Sequence, residues 1–326
     1  MIRFSLPLLA MAATTSIGVL LIRKAVAWGF IDVPDARKVH TQPTPRTGGL
    51  AMVLGGGLTF GLATGLGWLP WPALPWQTWL AGLGFIAVGA LDDRYNFHPR
   101  QKFLVLLTLS ALAAWPWLLR FRDTGVPWLP QAWVGSPLLL PGAGILLAFW
   151  FMAVPNAVNI EDAINGYMGG FTLIVLAGLA LRGVDSCIAM GALLGFLLLN
   201  WPKAKHFMGD AGSFGCGFLI AESILRGGGL AHPLLALALT APISLDVTMG
   251  LIRRKRLQMS PFTADRATCP HHLLTRFDGS HLLTTSVLWV NVAIFSVLWS
   301  HSTMLVAWAL CYASALVWLN WALLKN

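Results

Sequence analysis

Two carboxylates stand side by side in Leu91-Asp92-Asp93-Arg94, directly after an apolar run from Trp79 to Leu91. An ionisable residue at the edge of a hydrocarbon span is costly, which marks it as a candidate site. Two adjacent ones also repel each other and are suited to sharing a cation. A solvated helix end with Arg94 as partner accounts equally well for this pair taken alone. The other polar clusters tip the balance. Lys38 and His40, in the proline-rich stretch 28–47, suit an anionic ligand, although a basic anchor loop explains them too. Asn156, Asn159, Asp162 and Asn165 recur at intervals of three, so on a helix they share one face that could read a base or a ribose. Singly, such residues are more often caps and turns. Asp210, followed by small residues and an apolar run, reads either as a helix N-cap or as a carboxylate beside free N–H groups where a phosphate–magnesium unit could sit. The last cluster holds Arg253, Arg254, Lys255 and Arg256, then His271 and His272. It lacks HExxH spacing, and no GxxxxGK[ST] occurs anywhere in the chain.

The elements that must position these residues follow from composition. A chain of 326 residues with 56% hydrophobic and 11% charged residues, and a mean hydropathy of +0.69, is a polytopic membrane protein. Eleven apolar segments are expected to span: 5–22, 48–67, 75–91, 103–119, 142–157, 168–182, 185–200, 213–225, 232–252, 282–299 and 303–323. This is an all-α fold in a single domain over 1–326, with polar loops near 28–47, 92–102, 156–167, 200–213 and 253–281. If the segments alternate, 17 of the 22 Lys+Arg fall on one side, and only Arg3, Arg120, Arg122, Arg182 and Arg226 on the other. The positive-inside rule then places the N-terminus outside and the C-terminus and polar loops in the cytoplasm. The net charge of +9 is therefore a topology signal, and no nucleic-acid partner is expected. Cys187, Cys216, Cys269 and Cys311 have neither metal-ligand nor disulfide spacing.

Taken together, the loops resemble the polyprenyl-phosphate N-acetylhexosamine-1-phosphate transferases, the bacterial family 4 glycosyltransferases that initiate cell-envelope glycans such as O-antigen. The resemblance rests on five pieces in register: Asp35 to His40 with Gly48-Gly49; Asp92-Asp93; Asn156, Asn159 and Asp162; Asn200 with Phe207 to Ser213; and Arg253-Arg254, Ser260-Pro261-Phe262, Asp265-Arg266 and His271-His272. It implies that Asp92 and Asp93 serve catalysis and magnesium, and that Asp210 binds magnesium. It places Lys38, His40, Asn159, Asp162 and Asn165 near the nucleotide, Phe207 stacked on uracil, and Asn200 in the active site. Arg254, His271 and His272 become catalytic groups that act on the phosphates. The partners implied are a UDP-N-acetylhexosamine, undecaprenyl phosphate and the bilayer, with Mg²⁺ as cofactor, in a bacterial inner membrane with the site facing the cytoplasm. Two departures stand out. Asn165 replaces the second aspartate of the usual Asp-Gly-x-Asp-Gly, and Thr268-Cys269-Pro270-His271-His272 stands where His-x-His-His is usual.

The chemistry is consistent with this resemblance. A pyrophosphate donor is neutralised by Mg²⁺ on carboxylate oxygens, and a lipid phosphate is already anionic, so Asp92 either deprotonates it or holds the metal. A transporter of a divalent cation or nucleotide-sugar is the competing reading. It would need polar groups near mid-membrane, whereas here most of the acids sit at one surface, with Glu222, within a span, the main exception.

Overall fold

Each apolar run becomes helical because backbone polar groups in hydrocarbon must be satisfied within the segment. The computed structural model describes residues 2–34, 41–127, 129, 133, 136–260, 268–298 and 312. Within it, α1 covers Ile2–Trp28, α2 Gly48–Gly65, α3 Trp76–Tyr95, α4 Pro99–Thr124, α5 Leu139–Glu161 and α6 Tyr167–Ala180. They are followed by α7 at Cys187–Asn200, α8 at Gly209–Ile224, α9 at Pro233–Arg256, α10 at Cys269–Arg276 and α11 at His281–Leu298. An antiparallel pair of two-residue strands, β1 (Ile31–Asp32) and β2 (Thr44–Pro45), closes the base of the first loop, and Arg46 pairs with Asp32 across it.

Ten of the eleven expected spans lie on helices, and the eleventh, 303–323, lies outside the described residues except for Tyr312. By length and composition five helices can cross a membrane: α1 (from Ser5), α2, α4, α5 and α9. Of the rest, α6, α7 and α11 are shorter apolar helices. The protein is an all-α, multi-pass membrane protein on that count. The short helix α10, which carries His271 and His272, falls in a stretch that the sequence reads as loop.

At the centre is α8, packed on by α2, α3, α5 and α6. Phe85 of α3, Phe218 of α8 and Phe151 of α5 stack in a chain with ring centroids 5.6 Å apart at each step, well within the range of favourable aromatic pairs. The approach of α8 to its neighbours needs glycine. A Cβ on Gly49 would lie 2.1 Å from the Gly212 nitrogen, and one on Gly89 would lie 2.4 Å from the Asp210 carbonyl. Small residues at both crossings let the first turn of α8 wedge between α2 and α3. The α3–α4 turn is also dictated locally. Asn96 takes the left-handed conformation that ends α3, and Pro99 opens α4 behind His98, whose Nδ1 accepts the Arg100 N–H.

Candidate active site

Asp93, 4% exposed, turns its carboxylate onto the start of α8. Its Oδ1 accepts the Asp210 N–H at 2.9 Å and its Oδ2 the Ala211 N–H at 3.1 Å. Two of the donors that every helix start leaves unsatisfied are thus capped from another helix. Gly209 precedes them at φ +71, and a Cβ there would lie 2.6 Å from Asp93 Oδ2, so both conformation and space require glycine. The N-cap reading of Asp210 is therefore corrected. Met208 occupies the cap position without a side-chain bond, and because Asp93 caps the helix, the Asp210 carboxylate is left for other partners.

Those partners define the site. Asp210 Oδ1 accepts from Asn159 Nδ2 at 2.9 Å, and Oδ2 accepts from Lys102 Nζ at 3.0 Å. Lys102 Nζ also donates to Asp92 Oδ2 at 2.7 Å, while Asp92 Oδ1 accepts the Phe97 N–H at 2.7 Å. Arg94, the expected partner of the acidic pair, instead lies over the Tyr95 ring at 5.1 Å. Lys102 is the main residue that the sequence reading missed, because it looked like one more positive-inside charge. The sign that could have found it is the three-residue turn 96–98, which brings the first turn of α4 beside the last turn of α3.

A cavity of about 520 Å³ opens over this cluster. Asp93, Asn159, Asp162 and Asp210 stand on its wall, and Asn165, Asn200, Phe207 and His271 complete the set of expected residues found there. Asp32, Arg46 and His281 also line it, without having been singled out from the sequence. Asp92 lies just behind, tied to the wall through Lys102. Arg254 and His272 do not line the cavity. Arg254 is 7% exposed at the end of α9, and its charge acts on the buried Glu161. Lys38 and His40 lie outside the described residues.

The interval-of-three pattern is only partly helical. Asn156 and Asn159 ride on α5, where Asn156 Nδ2 donates back to the Met152 carbonyl. The helix ends at Glu161, and Asp162 and Asn165 reach the cavity from the following turn. Both ends of the Asn200 amide are bonded within the protein: its Oδ1 accepts the Gly166 N–H at 2.6 Å and its Nδ2 donates to the His206 carbonyl at 2.9 Å. That pins the turn after α5 to the end of α7 and fixes the height of Asp162 and Phe207. On the other side, Phe207 N–H donates to the Pro45 carbonyl at 2.7 Å, and its own carbonyl accepts the Gly48 N–H.

Four aspartates and one lysine make the local electrostatics strained. Burial, then the charge of Asp210, pushes Asp93 up to about 7 despite its two N–H bonds. Burial, then the charges of Asp210 and Asp93, pushes Asp162 up to about 8. Burial would also raise Asp92, but the hydrogen bonds it accepts from Lys102 and Phe97 and the Lys102 charge hold it below the usual carboxylate range. Such mutual repulsion is relieved by a cation. Among the described residues no three His, Cys, Asp or Glu side chains form a complete metal cage. Mg²⁺ does not need one, because it keeps waters and uses one or two carboxylates together with substrate phosphates. The all-oxygen donors Asp93 and Asp210, with Asp92 in reserve behind Lys102, fit that mode.

Comparison with known proteins identifies the family. Residues 76–228, which include Asp92, Asp93, Lys102, Asn159, Asp162 and Asp210, match the family model described as glycosyl transferase family 4. The chain is 29% identical over 325 residues to the probable undecaprenyl-phosphate N-acetylglucosaminyl 1-phosphate transferase of Bacillus subtilis (strain 168), covering 91% of this chain and 81% of that protein. It is 29% identical over 315 residues to the decaprenyl-phosphate N-acetylglucosaminephosphotransferase of Mycolicibacterium smegmatis, covering 83% and 75%. To the undecaprenyl-phosphate alpha-N-acetylglucosaminyl 1-phosphate transferase of Salmonella typhi it is 31% identical over 280 residues, covering 80% and 74%. With the acidic cluster in place and relatives matched along most of their length, the chain belongs to glycosyl transferase family 4, among the polyprenyl-phosphate N-acetylhexosamine-1-phosphate transferases.

Proposed function

We propose that the protein transfers an N-acetylhexosamine-1-phosphate from a UDP-sugar to undecaprenyl phosphate, releasing UMP and starting a lipid-linked envelope glycan such as O-antigen. The observation that carries this reading is the network Asp92–Lys102–Asp210–Asn159 with Asp93: Asp93, Asn159 and Asp210 line a cavity that also presents Phe207 and Asp162, and Lys102 and Asp92 back its wall. The names of the relatives supply the acceptor and sugar classes.

An oxygen of the lipid phosphate forms a bond to the sugar-bearing phosphorus, and the bond from that phosphorus to the bridging oxygen breaks and leaves with UMP. Lys102 offers a positive charge to the phosphates from its place between Asp92 and Asp210. Phe207 presents a ring to the uracil, and Asp162 a carboxyl to its polar edge. Asn159 holds Asp210 in one orientation, and His271, with Nδ1 set by Thr268 Oγ1 at 2.8 Å, faces the same cavity. Mg²⁺ held by Asp93 and Asp210 would supply charge neutralisation of the pyrophosphate. Acceleration then comes mainly from positioning and preorganised charge. Asp92 acts either as base to the lipid phosphate or as a further metal ligand.

The enzyme is placed in a bacterial inner membrane, with eleven spans, the N-terminus outside and the cavity facing the cytoplasm. The transporter reading is not favoured. Most of the acids gather at one end of the bundle, and the three at the other end have local partners: Asp123 in Arg122, Asp185 in the Cys187 N–H, and Glu222, the main exception within a span, in the Trp117 indole N–H at 2.9 Å.

The test is UMP release from a panel of UDP-N-acetylhexosamines with undecaprenyl phosphate and Mg²⁺. Asp92→Asn, Asp210→Asn and Lys102→Met are each expected to lower kcat by roughly 100-fold or more, with Lys102→Arg recovering part of the loss. Lipid-dependent UMP from one donor would also name the sugar. Lipid-independent UMP, or full activity in Asp210→Asn, would defeat the proposal.

A further inference from the structure

We propose that a second cavity, between α2, α3, α7 and α8, binds one bilayer phospholipid. One acyl chain would lie along the helices, with the phosphate-bearing head at the end of the bundle opposite the aspartates. The cavity has a volume of about 550 Å³ and is walled by Met52, Phe60, Ile86, Phe218 and Leu219. It runs along α8 from Gly212 to Arg226 in the π-helical turn that continues the helix, about 20 Å at roughly 1.5 Å per residue, which is longer than one leaflet's half of the roughly 30 Å hydrocarbon core. Glycines hold it open. Gly57 lines it, and a Cβ there would meet nothing within 4 Å.

Its two ends differ. The end near the aspartates is sealed by the Gly49–Gly212 contact. The far end is polar, and its unmet needs are those of a donor. Thr78, 4% exposed, and the buried Trp79 Nε1 line it and have no hydrogen-bond partner among the described residues. Arg226 stands at the same end. The acids there already have partners: Asp185 Oδ1 accepts the Cys187 N–H at 3.2 Å, and Glu222 accepts from Trp117 and feels the Arg226 charge, which it would share with the lipid head. Unmet donors inside a membrane call for an acceptor. The rings of Trp71, Trp79 and Phe60 pack together at the mouth, at the level where tryptophan marks a membrane interface.

This polarity identifies the occupant. An ester carbonyl or phosphate accepts from Thr78 and Trp79 and pairs with Arg226, while an acyl chain fills the apolar length. A polyprenyl chain whose phosphate lay at the aspartates would bring only hydrocarbon to these donors and leave them unpaired. The proposal needs only the membrane setting and stands independently of the transfer reaction.

The experiment is photocrosslinking with a phosphatidylethanolamine that carries a diazirine on its acyl chain, together with native mass spectrometry of protein washed in delipidating detergent. Wild type is expected to retain one phospholipid per chain and to crosslink in peptides of α2 and α8. Two variants alter the site: Gly57→Trp fills it, and Thr78→Val with Trp79→Phe removes its donors while keeping an aromatic ring, leaving the apolar length no narrower. Each is expected to cut crosslinking at least fivefold with the melting temperature retained. If Gly57→Trp does not fold, the donor-free pair decides alone. Unchanged crosslinking in the donor-free pair, no retained phospholipid, or retention of polyprenyl phosphate that phospholipid cannot displace would overturn the assignment.

Discussion

Asn165 shows how a departure from a familiar motif can be read from its surroundings. Its Nδ2 donates to the Pro202 carbonyl at 3.2 Å, tying the turn after α5 to the loop after α7. A carboxylate cannot donate, so Asn165→Asp would set two acceptors against each other. It is expected to lower stability by about 1 kcal/mol and raise the KM for the UDP-sugar. Thermal melting and initial rates check the two effects separately, and an unchanged or improved KM would show that the amide is not adapted to this loop. Residue identity alone pointed to much of the candidate cavity. Asp92, Asp93, Asp162 and Asp210 stand out because acids are rare in a chain that is 11% charged. Lys102 and the Asp32–Arg46 pair did not stand out, because their role depends on which helix ends meet, and spacing along the chain does not encode that.

At the scale of elements, the site depends on how α8 enters the bundle. Gly49→Ala would drive a methyl into the Gly212 backbone, where no side chain can rotate away. Overpacking of this kind typically costs about 1–3 kcal/mol. The melting temperature should fall, and kcat should fall with it, because the shift passes through Met208 to Asp210. A glycine that could be replaced without either effect would mean that the wedge is not tightly specified. His206, in the loop that leads into α8, is fully buried with its ring against Phe196. Burial lowers it to about 4, whereas in the unfolded chain it titrates near 6.5. The neutral form is the one that fits, so the stabilisation is complete above about pH 6.5 and is lost as pH falls toward 4. It amounts to at most roughly 3 kcal/mol. Melting between pH 7.5 and 5 should show this slope, and His206→Phe should flatten it; an equal slope in the variant would assign the loss to the carboxylates instead. The helices themselves were legible as apolar runs. The amphipathic α10 was not, because eight residues with Pro270 near their start are too few to establish a period.

At the scale of the molecule, the ends of six helices converge on one face. The C-terminal ends of α3, α5, α7 and α9 meet the N-terminal ends of α4 and α8, and the helix ends, loops and tail that charge counting assigns to this side carry 17 of the 22 Lys+Arg. Charge counting and the cavity thus point to the same side of the membrane, although they depend on different residues. The face that holds Lys203 and Lys205 should then be cytoplasmic, and the turn around Ala73 should be outside. In a background with Cys187→Ser, a membrane-impermeant maleimide applied to intact cells is expected to label the Ala73→Cys variant. The Lys203→Cys variant should be labelled only after lysis. The reverse pattern would open the aspartate cavity away from the compartment that supplies nucleotide-sugars, and the transfer reaction could not be retained however well the purified protein bound its substrates. Orientation is therefore the one property of the whole chain on which the reading of every residue in the cavity depends.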